Sequence, residues 1–194
     1  MDDEWREGFR AAIENGFDPP EAGEAFAVLK ARINLVSVVS PDLGIPGLGQ
    51  SGMKEFLSTT FSGEESQSEF QSADLAALLE SFIGETRFGW LDEIVPLRFK
   101  LENGPVLKLR YSAESDPDCG EASSPEVDAR LHQMLGCTQH PFVCEGLVAV
   151  QLQLRDPKGG VLDRTFDWPG WRAAELPGHR VRLQKKFPQE FPQL

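Results

Sequence analysis

Apolar side chains in the first half of the chain recur at intervals of three and four, and in much of the second half at intervals of two. Trp5, Phe9, Ala12 and Ile13 share one side of a helix that Asp2 and Asp3 can cap and Asn15-Gly16 ends. After Asp18-Pro19-Pro20, the residues Ala22, Phe26, Leu29 and Ile33 mark a second helix. Proline suits its first turn, where N–H groups have no intrahelical acceptor. The run 35–39 either extends this helix or breaks it, and Pro41 stops it. The spacing predicts a short helix over 53–61, an acidic, serine-rich loop over 62–71, and a helix capped by Ser72 that turns Leu75, Leu78, Leu79 and Phe82 inward. A last short helix is predicted over 88–94.

Past Pro96 the period shortens. Leu97, Phe99 and Leu101 alternate with Arg98 and Lys100, Asn103-Gly104 supplies a turn, and 106–111 return, so 96–111 reads as a β-hairpin. Turn residues fill 114–123. Ser124-Pro125-Glu126 then opens a predicted helix with Val127, Leu131, Met134 and Leu135 on one side and Gly136 as its stop. Alternation at Val148, Val150, Leu152 and Leu154, a turn at 156–160 and a return over 161–166 make a second hairpin. The tail, 171–187, is helical in its later part, with Pro169 and Pro177 constraining where a helix can begin. The expected fold is therefore α+β: a helical region, 1–90, followed by a mostly antiparallel sheet module, 91–194, in the order hairpin, helix, hairpin, helix.

Charge changes the picture because it is unevenly spread. The formal net charge is −12; residues 1–95 carry −12, residues 96–154 carry −3 and residues 155–194 carry +3. The first half would repel a phosphate backbone, and only the C-terminal stretch favours one. There, rings and cations interleave: Phe166, Trp168, Trp171, Arg172, Arg180, Arg182, Lys185, Lys186 and Phe187. Two readings of this pattern stand. Single-strand-binding surfaces combine stacking rings with cations in this way; an amphipathic helix turns the rings to a core and the bases to water. The candidate nucleic-acid-binding set is Trp171, Arg172, Arg180, Arg182, Lys185 and Lys186.

Signs of chemistry are few. No GxxxxGK[ST] phosphate loop, GxGxxG, GxSxG or HExxH occurs. Gly44, Gly47 and Gly49 lie close together, but proline interrupts them and a structural loop is the better reading. Cys137, His140 and Cys144 have a metal-like spacing, with His132 and Cys119 as further donors, yet a short zinc site shows two tight ligand pairs and this stretch does not. No metal and no cofactor is expected. Glu64-Glu65 reads as part of a solvated loop, and Asp92-Glu93 as a structural hydrogen-bonding pair at a helix end. Three cysteines without a framework spacing, the acidic start Met1-Asp2-Asp3-Glu4 and the absence of any long apolar run point to the cytoplasm rather than to secretion or a membrane.

In order and spacing, the motifs of the second half resemble the C-terminal region of HrpB-type ATP-dependent helicases, a bacterial branch of the DEAH-box group. That family's L-D-E-L-x-P is similar to Leu91-Asp92-Glu93-Ile94-Val95-Pro96, its strand end Y-S to Tyr111-Ser112, and its R-L-Q-E-(L/M)-F-G to Arg130-Leu131-His132-Gln133-Met134-Leu135-Gly136. Its V-x-L-x-L-x-L-x-S-P segment has counterparts in Val148, Val150, Leu152, Leu154 and Asp156-Pro157, and its D-L-x-G-F-W in Asp167-Trp168-Pro169-Gly170-Trp171-Arg172. Leu183, Lys186, Phe187 and Pro188 fall in register with a later motif. Residues 1–90 resemble, more loosely, the helical region before that domain. The family's basic, aromatic ending is replaced by Pro188-Gln189-Glu190-Phe191-Pro192, and the motor's phosphate loop and D-E-A-H are absent. The resemblance implies a non-catalytic C-terminal accessory module that packs on helicase motor domains, in cis or in trans, or assists engagement of single-stranded RNA or DNA. The alternative is a free-standing acidic module that binds a basic protein partner.

Overall fold

Six helices realise the helical periodicity of the first part of the chain: α1 (Asp2–Asn15), α2 (Gly23–Val39), α3 (Gln50–Thr60), α4 (Gln67–Ser72), α5 (Leu75–Ile83) and α6 (Glu85–Ile94). The computed structural model describes residues 2–17, 19 and 22–192. The described residues divide into one compact unit of 1–95 with 111–123 and a second of 96–110 with 124–194. The architecture as a whole is α+β, as the periodicity predicts. The capping expected of the Asp2 side chain, and most of the Asp18-Pro19-Pro20 turn, lie outside the described residues.

In the helical unit, 35–39 extends α2 rather than breaking it. Ile33, Leu35 and Val36 are all 1% exposed or less. A helix so wrapped has no water-facing side over this stretch, which removes the usual cost of an unbroken apolar run. Phe9 gathers the rings of Trp5, Phe61 and Phe70, with the Phe9 and Phe70 centroids 4.8 Å apart. The predicted loop over 62–71 is instead partly helical: Ser66 accepts from the Glu69 amide while the Glu69 carboxylate accepts from the Ser66 amide, a reciprocal cap that starts α4. Ser72 does not cap α5. Its hydroxyl donates back to the Glu69 carbonyl, and Asp74 takes the cap by accepting from the Ala77 amide at 3.1 Å.

Two buried polar residues of α2 hold this unit's irregular segments. The Arg32 guanidinium donates to the Val95 carbonyl at 2.8 Å and to Asp92 at 2.6 Å, so Asp92 is a structural partner, as expected. Asn34 accepts from the Leu48 amide at 2.7 Å and donates to the Ser115 carbonyl at 3.3 Å, tying together two loops far apart in sequence. Around Leu48, a Cβ on Gly47 would meet Pro117, and one on Gly49 would meet the Asp118 carboxylate, which itself accepts from the Gln50 amide at 2.6 Å. The glycines are there for close packing, and the loop's amides at Leu48 and Gln50 are already taken.

The second unit is built on a five-stranded sheet in the order β1 (Arg98–Lys100), β2 (Val106–Arg110), β3 (Glu126–Arg130), β6 (Gln151–Arg155), β7 (Val161–Thr165). Both predicted hairpins are present, β1 with β2 and β6 with β7. In the first, Gly104 has φ 105°, a region closed to most side chains, and the neighbouring Asn103 pins the turn by donating to the Gln133 carbonyl at 2.7 Å. The predicted helix over 124–135 needs correction. Glu126–Arg130 is a strand, antiparallel to β2 and parallel to β6, and only α7 (Leu131–Met134) is helical. Val127 and Leu131 satisfy the helical period, and with Ala129 between them the two-residue one as well, and a slot with unpaired backbone on both sides decides between them. The sheet stays mostly antiparallel, with β3–β6 the one parallel pairing in it. Residues 148–149 leave the second hairpin to form β5 (Val148–Ala149) with β4 (Phe142–Val143).

The pleat sorts the sheet's side chains by face. Leu107, Leu109, Val127, Ala129, Leu152 and Leu154 are buried on one face. The other face carries Arg98 and Lys100 on β1, Lys108 and Arg110 on β2, Glu126, Asp128 and Arg130 on β3, Arg155 on β6 and Arg164 on β7.

Asn34→Ala is expected to destabilise the chain by about 1–3 kcal/mol, because it leaves the buried Leu48 N–H without an acceptor. Urea unfolding measures this, with Ser58→Ala, on the exposed side of α3, as the near-neutral control.

Candidate nucleic-acid interface

The C-terminal residues form α8 (Trp168–Ala174) and α9 (Leu176–Lys186). Pro169 and Pro177 both fall in first turns, where they help start a helix rather than break one. Asp167 caps α8 by accepting from the Gly170 amide at 3.0 Å. Trp168, 0% exposed, donates its indole N–H to the Cys137 carbonyl at 3.0 Å.

Trp171 is only 6% exposed. Its ring stacks with those of Trp168 and His179, with centroids 5.8 Å away in each case and interplanar angles of 18° and 22°. Its N–H donates to Asp163 on β7 at 2.7 Å, and this bond, with the Arg164 amide, holds the Asp163 carboxyl below its ordinary pKa. At this burial the Trp171 ring is covered by the protein. Leu176, Leu183 and Phe187 of the same C-terminal segment are buried as well. The rings at Trp168, Trp171 and Phe187 follow the core-packing reading, and Phe166, 49% exposed, is the one ring of that series left open.

The candidate cations are all exposed. Arg172 donates to the Cys137 carbonyl at 3.3 Å, Arg182 meets His179 at 3.0 Å, and Lys186 reaches Asp156 at 3.4 Å and lies over the Phe187 ring. Burial pushes the Asp156 carboxyl up, but the Gly160 amide and the Lys186 ammonium outweigh it and leave the pKa lowered. At about 100° per residue, Arg182, Lys185 and Lys186 share one flank of α9 while Arg180 lies on the other. The helix therefore presents three clustered cations and one apart, with no open ring among them.

The cysteine–histidine stretch is occupied by structural bonds. His140 accepts the Trp168 amide at Nδ1 (3.1 Å), which leaves Nε2–H to donate to the Val150 carbonyl at 2.8 Å. Burial lowers the His140 pKa, and a proton on Nδ1 would cost the Trp168 bond. Cys137 and Cys144 are buried, and burial pushes the Cys144 thiol up to about 11. Among the described residues, no three His, Cys, Asp or Glu side chains are grouped as a metal would require.

Sequence reasoning missed the sheet's cationic face, because a strand was read as a helix. The alternation at Arg98, Lys100, Lys108 and Arg110 was the available signal. Assigning residues to the two units also redistributes the charge. The loop 111–123 belongs with the helices, so the helical unit carries net −16 and the sheet unit net +4.

Two solved structures share this arrangement of a helical unit and a mixed sheet. The crystal structure of the E. coli DExH-box NTPase HrpB matches over 95% of this chain and 22% of that one, with a TM-score of 0.74 and 18% identity. A second structure, of the Escherichia coli DEAH/RHA helicase HrpB, matches over 98% and 24%, with a TM-score of 0.73 and 16% identity. The chain therefore spans less than a quarter of the length of these proteins. No curated protein sequence matches it. Residues 56–192 match the family described as ATP-dependent helicase C-terminal, HrpB_C, and the chain belongs to that family.

Trp171→Ala is expected to cost about 3–5 kcal/mol of stability, as removal of a large buried ring does. Lys185→Ala should be close to neutral in the same thermal melts. The sign for His140 is equally definite. Its folded pKa lies below the unfolded value, so the stability it contributes is complete above about pH 6.5 and is lost as pH falls through the folded pKa. Urea midpoints should decline on acidification from pH 7.5 toward pH 5, and His140→Gln should flatten that decline.

Proposed function

We propose that the chain is the accessory C-terminal module of an HrpB-type helicase, working beside a motor in the cytoplasm and performing no nucleotide hydrolysis of its own. The observation that carries this reading is the extent of the family match, residues 56–192, which takes in nearly all of the sheet unit and about half of the helical one. Two features support the non-catalytic part. The glycine-rich loop is packed against Pro117 and Asp118, and the Leu48 and Gln50 amides already have acceptors within the chain. The nucleic-acid part is supported by the net positive charge of the sheet unit, which stands against an acidic whole. The family match counts against a free-standing acidic interaction module.

Purified chain is expected to show no ATP turnover above buffer, with or without single-stranded RNA. Added to a motor segment of an HrpB-type helicase, in trans or as a fusion, it should alter the motor's RNA-stimulated ATPase rate. Turnover by the chain alone would defeat the non-catalytic reading, and an unchanged motor in both formats would defeat the accessory one. Its own affinity for single-stranded RNA should be weak and steeply salt-dependent.

A further inference from the structure

We propose that the open face of the five-stranded sheet, rather than α9, is the surface on which this chain takes the phosphate backbone of a single-stranded nucleic acid. The proposal deepens the nucleic-acid part of the reading above and rests on it.

Seven cations and two carboxylates project from this face, in a chain whose total charge is −12. The carboxylates are central and already shared. Asp128 is bound by Arg155 and, at 2.6 Å, by Arg110, which also lies 3.6 Å from Glu126. Burial pushes the Asp128 carboxyl up, but the two guanidiniums outweigh it. Together these four charges cancel. The remaining five, Arg98, Lys100, Lys108, Arg130 and Arg164, are exposed and, among the described residues, are paired with no carboxylate. They surround the neutral centre on several strands of the sheet.

The strand register sets their layout. Arg98 lies opposite Lys108, and Gln153 opposite Arg164, so one row crosses the sheet from edge to edge. A second row brings Arg130 beside Arg155 and Lys100 beside Val106. Strands are about 4.8 Å apart and outward residues on one strand about 7 Å apart, so the cations form a grid roughly 20 Å wide on a rigid hydrogen-bonded support. A flexible α9 side chain has no comparable fixed spacing. Beyond β7 stands Phe166, 49% exposed and the only open ring of the C-terminal series, positioned to stack a base at the end of the grid. Fixed cations that track a backbone, with a ring beside them, are the chemistry that holds a single strand without reading its sequence. An acidic protein surface would meet the same cations but would have no use for the ring.

The test is fluorescence anisotropy of the full chain with labelled oligouridylate and oligothymidylate of equal length, across a series of salt concentrations. Arg98→Gln/Lys108→Gln/Arg164→Gln should weaken binding at least about tenfold and make the log–log salt slope shallower by about two, as loss of three single-strand phosphate contacts requires. Phe166→Ala should weaken it about tenfold with the slope unchanged. Arg180→Gln/Arg182→Gln/Lys185→Gln should stay within about threefold of the native chain. Far-UV circular dichroism checks each fold, and Arg98→Lys/Arg164→Lys, which keeps the charge, should bind as the native chain does. The proposal is overturned if the sheet variant binds normally, if the α9 variant suffers the larger loss, or if polyglutamate competes as well as RNA. The α9 result would leave nucleic-acid engagement standing and move it to another surface. No binding to either oligomer at low salt would remove that engagement altogether, while the motor assay would still decide the accessory role.

Discussion

Residues 126–130 pair along their whole length with β6, in parallel, and at Glu126 and Val127 with β2, antiparallel, and most of the second unit follows from that double pairing. Without a strand in this slot the two hairpins would be separate two-stranded ribbons, each marginal in water. With it they share one pleat, so Leu107, Leu109, Val127, Ala129, Leu152 and Leu154 close a common core. The same pleat forces the alternate residues outward together. A one-residue slip of β3 would carry Val127 and Ala129 into water and bury Asp128, so the register is strongly specified.

The central strand also explains the arrangement of charge. Asp128 sits where it can be reached by Arg110 from one neighbour and Arg155 from the other. That clamp neutralises the middle of the face and leaves the flanks cationic. Because β2 and β3 are joined through a loop, 111–123, that belongs to the helical unit, its four acids count with the helices and not with the sheet. The result is a chain of net −12 that contains a cationic unit.

Local chemistry and tertiary demand agreed at most places along the chain. The α+β class, both hairpins and the helices around Phe9, Phe26, Met53 and Leu79 could be read from spacing alone, because an apolar stripe of the right period needs only one partner surface to become an element. The resemblance to HrpB-type helicases rested on the same kind of information, the order of motifs such as 91–96 and 130–136, and the family match agrees with it. The failures were places where two local solutions were close in energy. Ser72 and Asp74 can both cap a helix, and Ser66 with Glu69 turned part of a loop into a helical turn.

The sequence by itself determined most of the helices and both hairpins, the absence of a phosphate-binding motif, and the total charge. These depend on neighbours in the chain, which the sequence states directly. Only the tertiary structure decided that 126–130 is a strand, that Trp171 is buried against Trp168 and His179, and that five cations with no carboxylate partner among the described residues share one face of a sheet. Each of these depends on which distant backbone offers hydrogen bonds, and on which side of the pleat a residue then falls. Both are settled by pairing between segments far apart in sequence, and no local window of residues contains that information.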